Sequence, residues 1–216
     1  MNKSLKEAVK LHRNTPPNWY QESIRVDLFQ RFWHQMRFSE VSRVIEKVSG
    51  KILDVGCADG TFSKVILDKS QAESLIGIDV LKSSIDWANK HWRKSKMRFL
   101  VSDAHRLKFD RGAFEAVFAL EVLEHVADPE RVLKEIKRVM KKGGYSIFLV
   151  PSDSFLFKIV WFFWLHFYPR GWVWNKTHIQ SFKNNYLAKI AKKVGFKIEV
   201  DKKFALGMLH LMKVRK

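Results

Sequence analysis

Cysteine is nearly absent. The 216-residue chain has one, Cys57, so no internal disulfide can form. This excludes a disulfide-stapled secreted scaffold and fits a reducing, cytoplasmic compartment. Long apolar runs are also missing, so no helix is expected to span a bilayer. The opening MNKSLKEAVKLHRN has no apolar core of a leader, and no secretory signal is expected. Neither repeats nor low-complexity tracts occur. Acidic residues are scarce, 22 against 40 Lys and Arg, for a net charge of +18.

Apolar residues make up 46% of the chain, enough for one domain with a substantial core, or a domain plus a small appendage. The positive charge is uneven: residues 151–216 hold 13 basic against 3 acidic residues, +10 of the +18. Such a local excess suits an anionic partner, a membrane surface or nucleic acid, or simply a solvated basic face.

NTPPN at 14–18 breaks a short leading segment from the helical stretch beyond it. From 21 to 48, apolar residues recur at helical spacing (Ile24, Leu28, Phe32, Met36, Val41, Ile45), which predicts one or two helices ending near Gly50. Residues 1–50 are thus expected to form a helical cap before a domain over 51–216. From Lys51 strands alternate with helices: strands at 51–56, 74–80, 97–104, 114–122 and 145–150, and helices at 61–68, 83–91, 129–142 and 181–194. Asp128-Pro129 opens the third of these helices and Gly143-Gly144 is expected to close it. Residues 196–200 and 205–214 read as two closing strands. Such alternation predicts an α/β domain with a mainly parallel sheet, whose ligands bind beyond the carboxyl ends of the strands. Asp54, Asp79, Asp103 and Glu121 all fall at such ends.

The stretch ILDVGCADGTF at 52–62 stops a buried strand at an acid and continues into small residues. Gly56, Ala58 and Gly60 let backbone approach a ligand, and the next helix presents its N–H groups. A pyrophosphate would be repelled by Asp54 and Asp59. A ligand with a cationic centre and a carboxylate would tolerate both, and Asp79 at the next strand end can accept from ribose hydroxyls. A ribose, a cation and a carboxylate together describe S-adenosyl-L-methionine.

Residues 52–62, Asp79, SDA at 102–104 and LEVLEHVADPERVLKEIKRVMKKGG at 120–144 make the chain resemble a class I S-adenosylmethionine-dependent methyltransferase, in the branch that acts on small molecules, quinone precursors and lipids. HIQSF at 178–182 and GF at 195–196 extend the likeness. It implies a Rossmann-like seven-stranded mainly parallel sheet flanked by helices, with the N-terminal helices and an aromatic helical insertion or lid, about 152–180, added to it. It also implies Asp54, Gly56, Cys57, Ala58 and Gly60 around the methionine end of the cofactor. Asp79 would hold the ribose beside Val80, Asp103 the adenine amino group beside Ala104, and Ala119, Leu120 and Glu121 would close the pocket near the sulfonium. Ala58 departs from the family, which usually has glycine there. Tyr20, Arg31 and Arg37 are candidates for the cofactor carboxylate.

Methyl transfer is an in-line displacement at an activated carbon, where alignment alone can supply roughly 7–11 kcal/mol. A base for the acceptor proton adds about 10²–10⁴-fold. Glu121, His125 and His178 are the candidates, though His125 in LEHV also reads as a tie between its loop and the next helix. The turn after the fourth strand lacks the N-P-P-[Y/F] used for amino-group methylation of adenine or glutamine. Cys57 stands in the glycine loop, away from the place of a pyrimidine-attacking nucleophile. No cluster with metal-ligand spacing is legible along the chain.

FLFKIVWFFWLHFYPRGWVW at 155–174 holds ten aromatics. As a helix its first part would be apolar nearly all round, so it must be buried or meet lipid. Trp and Tyr beside Lys158, Arg170 and Lys176 suit a bilayer interface, through residues 155–176. Packing on the N-terminal helices through Trp19, Phe32 and Trp33 is the alternative. The expected function is transfer of a methyl group to a small, lipophilic acceptor, with an RNA methyltransferase or a non-catalytic cofactor-binding regulator as alternatives.

Overall fold

The computed structural model describes residues 9, 10, 12, 14–92, 96–152, 154–168 and 177–216. Among the described residues, helices α1 (Trp19–Val26) and α2 (Leu28–Ser42) lead into the sheet. Asp27 separates them: its backbone is extended, and its carboxylate accepts the Gln30 N–H at 2.9 Å to cap α2. The apolar spacing runs on to Val48, yet α2 stops at Ser42. Tyr145 decides this. Its hydroxyl accepts the Glu46 N–H (3.2 Å) and donates to the Glu46 C=O (2.9 Å), taking both groups out of a helical ladder. The expected helix end near Gly50 is therefore eight residues too late.

The sheet elements come in the order β1 (Lys51–Val55), α3 (Thr61–Ser70), β2 (Ser74–Asp79), α4 (Lys82–His91), β3 (Met97–Val101), β4 (Phe114–Leu120), a 3₁₀ turn (Leu123–His125), α5 (Pro129–Val139), β5 (Met140–Pro151), α6 (Phe155–Phe167), α7 (Tyr186–Val194), β6 (Lys197–Phe204) and β7 (Leu209–Arg215). The seven strands are ordered β3-β2-β1-β4-β5-β7-β6. β1 to β5 run parallel, and β7 is antiparallel to both its neighbours. This is the expected Rossmann-like, mainly parallel sheet.

The central strands are apolar on both faces because helices cover both. Ile52, Phe118 and Ile147 pack with Ile66 and Ile85 of α3 and α4 on one side. Leu53, Val117 and Phe148 pack with Leu133 and Ile136 of α5 and Ile190 of α7 on the other. The alternation of 52 with 53, and of 117 with 118, is the period of two that a strand imposes. Each such buried side chain contributes about 1.5–3 kcal/mol.

Other boundaries also differ from expectation. α5 begins as read, with Asp128 accepting the Arg131 N–H at 2.9 Å, but it ends at Val139. Gly143 and Gly144 belong to β5, not to a helix end. A Cβ on Gly144 would stand 2.7 Å from the Glu115 carbonyl oxygen, so only glycine lets β5 approach β4 where their register shifts between Phe114 and Ala116. α7 starts at Tyr186 and not at Ser181, because Asn184 and Asn185 both take left-handed backbone (φ 51° and 57°).

α6 is capped by Ser154, which accepts the Phe157 N–H at 3.2 Å. Only Phe157 of α6 is buried. Phe155, Phe162, Phe163 and Phe167 are exposed, as are Leu28, Phe29 and Phe32 of α2. The rest of the aromatic segment, 169–176 with Arg170, Trp172, Trp174 and Lys176, lies outside the described residues. No described helix is long and apolar enough to cross a membrane.

Candidate active site

From β1 the chain proceeds outward to β2 and β3 on one side, and β4 and β5 lie on the other. Connections leave in opposite directions there, which opens a crevice beyond the strand tips. A cavity of about 260 Å³ occupies it. Its floor is formed by the strand tips and its roof by α1 and α2. Its apolar mouth is formed by Phe29, Val160, Trp161 and Trp164.

Gly56 comes directly after β1 at φ +75°, and a Cβ there would meet Val122 Cγ2 at 2.1 Å. Only glycine fits, and it leaves bare backbone on the cavity wall. Ala58 also adopts left-handed backbone, at φ 45°. For an alanine this costs roughly 1–2 kcal/mol, which gives a physical reason for the glycine usual there. Asp79 fixes the strained loop: its carboxylate accepts the Ala58 N–H (3.0 Å) and the Leu81 N–H (2.9 Å). Burial pushes the Asp79 carboxyl up, against those two hydrogen bonds.

Asp103 accepts from the His105 N–H (2.9 Å) and from His105 Nδ1 (2.7 Å). His105 Nε2 accepts the Asp128 N–H at 3.2 Å, which places the ring proton on Nδ1. An imidazole thus orients the acid at the third strand end and joins it to the cap of α5.

Of the residues expected around the cofactor, Gly56, Ala58, Asp79, Val80, Asp103, Ala104 and Glu121 line this one cavity, as do His125 and His178. Asp54, Cys57, Gly60, Ala119 and Leu120 stand behind its wall. Asp54 is buried beneath the loop and accepts the Ser63 hydroxyl at 2.5 Å. Desolvation lifts its carboxyl to about 7. Burial also pushes the Cys57 thiol well up, which disfavours the thiolate. Gly60 leads into α3 under Trp92 and Phe99.

The second acid of the loop has a different task. Asp59 accepts the Gln21 N–H in the first turn of α1 and the Thr61 N–H at the start of α3, both at 3.0 Å. One carboxylate thus satisfies orphan donors of two helices and pins the N-terminal helices to the glycine loop.

Arg37 is one of the three candidates that the sequence offers for the cofactor carboxylate. It is 3% exposed and pairs with Glu121, whose own backbone is left-handed (φ 57°). Arg37 also donates to His34 Nδ1, and His34 Nε2 meets the Ser23 hydroxyl at 3.1 Å. Burial and the neighbouring guanidinium hold His34 down at about 2, so it is neutral and accepts from Arg37. Desolvation lowers Arg37 itself to about 10, still charged at neutral pH. Arg31 lies elsewhere, donating to the Ile24 and Arg25 carbonyls at the α1–α2 corner.

His125 Nδ1 donates to the Thr177 carbonyl at 2.8 Å, and the Ile179 and Gln180 N–H groups donate to the Glu124 carbonyl. The LEH turn therefore fastens the segment after α6. Burial, with His12 and His178 nearby, holds His125 well below the usual imidazole range. Glu124, His125 and His178 present ligand-capable atoms within 4.8 Å of one another. The distance of His178 from Glu124 and His125 along the chain hid this grouping from sequence reading, as distance hid the partners of His34, Asp59 and His105.

Residues 53–148 match the family described as a methyltransferase domain. The chain is 31% identical over 115 residues to a ubiquinone biosynthesis O-methyltransferase of Pelagibacter ubique, covering 51% of this chain and 47% of the relative. A Rickettsia typhi protein of the same description is 25% identical over 196 residues, 84% of this chain and 74% of its own length. The chain thus spans about half the length of the first of these relatives. A solved S-adenosylmethionine-dependent methyltransferase of Mesorhizobium loti superposes with a TM-score of 0.64 at 14% identity, covering 94% of this chain and 99% of its own, a likeness of fold. Residues 53–148 thus have the likeness of a methyltransferase domain, on a fold shared with solved S-adenosylmethionine-dependent methyltransferases.

Proposed function

We propose that this chain transfers a methyl group from S-adenosylmethionine to a small, lipophilic acceptor. The observation that carries this reading is one cavity with two characters: carboxylates at successive strand tips on its floor, aromatic side chains at its mouth. The bound cofactor would supply a methyl group already activated on a positive sulfur. Asp79 would take the ribose hydroxyls, Asp103 the adenine amino group, and the bare backbone at Gly56 the methionine end. Arg37 offers the cofactor carboxylate a cation, shared with Glu121. Glu121, His125 and His178, which line the same cavity, would face the ionising group of the acceptor.

Residues 1–50 act as a cap on the domain of 51–216, and the insertion at 152–180 shapes the acceptor entrance. Phe29 of the cap lies against Trp164 and Tyr168 (centroids 6.2 Å from each), so cap and insertion meet at the mouth. This favours entry of an apolar acceptor between them. The exposed phenylalanines of α6 and the +18 charge favour a peripheral position on an anionic membrane, on its cytoplasmic side. The ubiquinone O-methyltransferase relatives support a lipophilic acceptor without fixing it.

Calorimetric titration with the cofactor and its demethylated product, and then a labelled-methyl assay on lipid, quinone and RNA fractions, test this. Label in the lipid or quinone fraction is the expected result. Label in RNA would replace the acceptor class, and binding without turnover would make the chain a regulator.

A further inference from the structure

A further cluster, outside the residues assigned to the cofactor, lines the same cavity. Glu124 and His125 are neighbours in the 3₁₀ turn, and His178 comes from the segment after α6. All three line the cavity, with ligand-capable atoms within 4.8 Å of one another. Ligands on a tetrahedral ion with bonds of about 2.0–2.1 Å stand about 3.4 Å apart, so modest side-chain rotation closes the set. The support around it is of the kind a metal site needs. His125 Nδ1 is committed to the Thr177 carbonyl at 2.8 Å, which leaves Nε2 as the ligand nitrogen. The Ile179 and Gln180 N–H groups bond the Glu124 carbonyl at 2.9 and 3.0 Å, so the strand of chain carrying His178 is tied to the turn carrying the other two. Trp161 stacks on His178 with centroids 4.6 Å apart and planes 15° apart, which limits the ring's freedom.

We propose that Glu124, His125 and His178 form a site for a borderline divalent cation of the zinc type, with its open position facing the acceptor. Two imidazoles and one carboxylate suit zinc or cobalt(II), whereas magnesium and calcium take oxygen ligands. Three protein ligands leave a coordination position for an outside oxygen. On the methyltransferase reading, on which this step rests, that oxygen is a hydroxyl of the acceptor. Its proton passes to water, and its lone pair is then available for the methyl carbon without a separate base.

The test uses the full chain, freed of metal with a chelator and titrated with cobalt(II). Visible absorption and quenching of Trp161 fluorescence are recorded, and cofactor affinity is measured on the same samples by calorimetry. One equivalent of cobalt(II) binding at micromolar or tighter affinity, displaced by zinc, is expected. His125→Ala and His178→Ala should each weaken it by about 10–100-fold, with cofactor affinity kept. His166→Ala, on the exposed side of α6, should leave it unchanged. Protein that binds the cofactor but neither cation below millimolar concentration overturns the site, as does binding unaffected by His178→Ala. If His125→Ala unfolds through loss of its Thr177 bond, His178→Ala decides alone. Absence of cofactor binding would sink the methyltransferase reading and leave the cobalt result to judge the cation site by itself.

Discussion

Asp79 carries two jobs with one carboxylate. It accepts from Ala58 and Leu81 and keeps lone pairs for a diol. A charge-assisted hydrogen bond contributes about 1.5–3 kcal/mol, so Asp79→Ala should weaken cofactor binding by roughly 10–100-fold in a calorimetric titration. Unchanged affinity would remove Asp79 from the ribose site. Asp54 answers to pH instead. Its carboxyl titrates near 7 when folded and near 3.8 ordinarily, so the folded chain keeps a proton that the unfolded chain has released. Its contribution to stability is full below about 4 and is lost as pH rises toward 7. Asp59 and Asp79 are shifted the same way, so the measurement must be a difference. Denaturant midpoints of Asp54→Asn and the parent, compared from pH 4 to 8, should diverge in favour of the variant as pH rises. Parallel curves would contradict a raised Asp54.

At the level of elements, identities were legible because short all-apolar runs bounded by turns mark strands covered on both faces, and apolar spacing near 3.6 marks helices. Helix and strand ends were less so, since partners distant in sequence set them. Tyr145 stops α2, Glu115 crowds Gly144 into β5, and two left-handed asparagines delay α7. The same logic makes Asp59 more than a loop acid. Its removal in Asp59→Ala strips a cap from α1 and from α3, worth about 1–2 kcal/mol. The amides of α1 should then exchange faster with solvent, while those of β4 and β5 keep their protection relative to global stability. Uniform change across the chain would mean that α1 is not held by this carboxylate.

For the molecule as a whole, exposed aromatics gather on the helix that lines the cavity, in a chain of net charge +18. Phe155, 81% exposed, lies on the same helix as the cavity-lining Trp161 and Trp164. Interfacial binding scales with buried apolar area and with attraction to anionic lipid. Phe162→Glu with Phe163→Glu should therefore abolish flotation with anionic vesicles and leave cofactor affinity unchanged. Equal flotation of parent and variant would remove α6 from the membrane contact. Absence of flotation by the parent would remove the membrane from the proposal.

The order of amino acids by itself determined the α/β class, the strand-tip acids and the cofactor loop, because these depend on local periodicity and on residues a few positions apart. Tertiary structure alone decided which acids face the cavity and which lie behind it: Asp54 and Asp79 read alike along the chain, yet one is capped by Ser63 inside the core and the other lines the crevice. It alone also brought Arg37 to Glu121 and His178 to His125. The physical reason is that packing a cap and an insertion over the same strand ends joins groups whose separation in sequence carries no periodic signal.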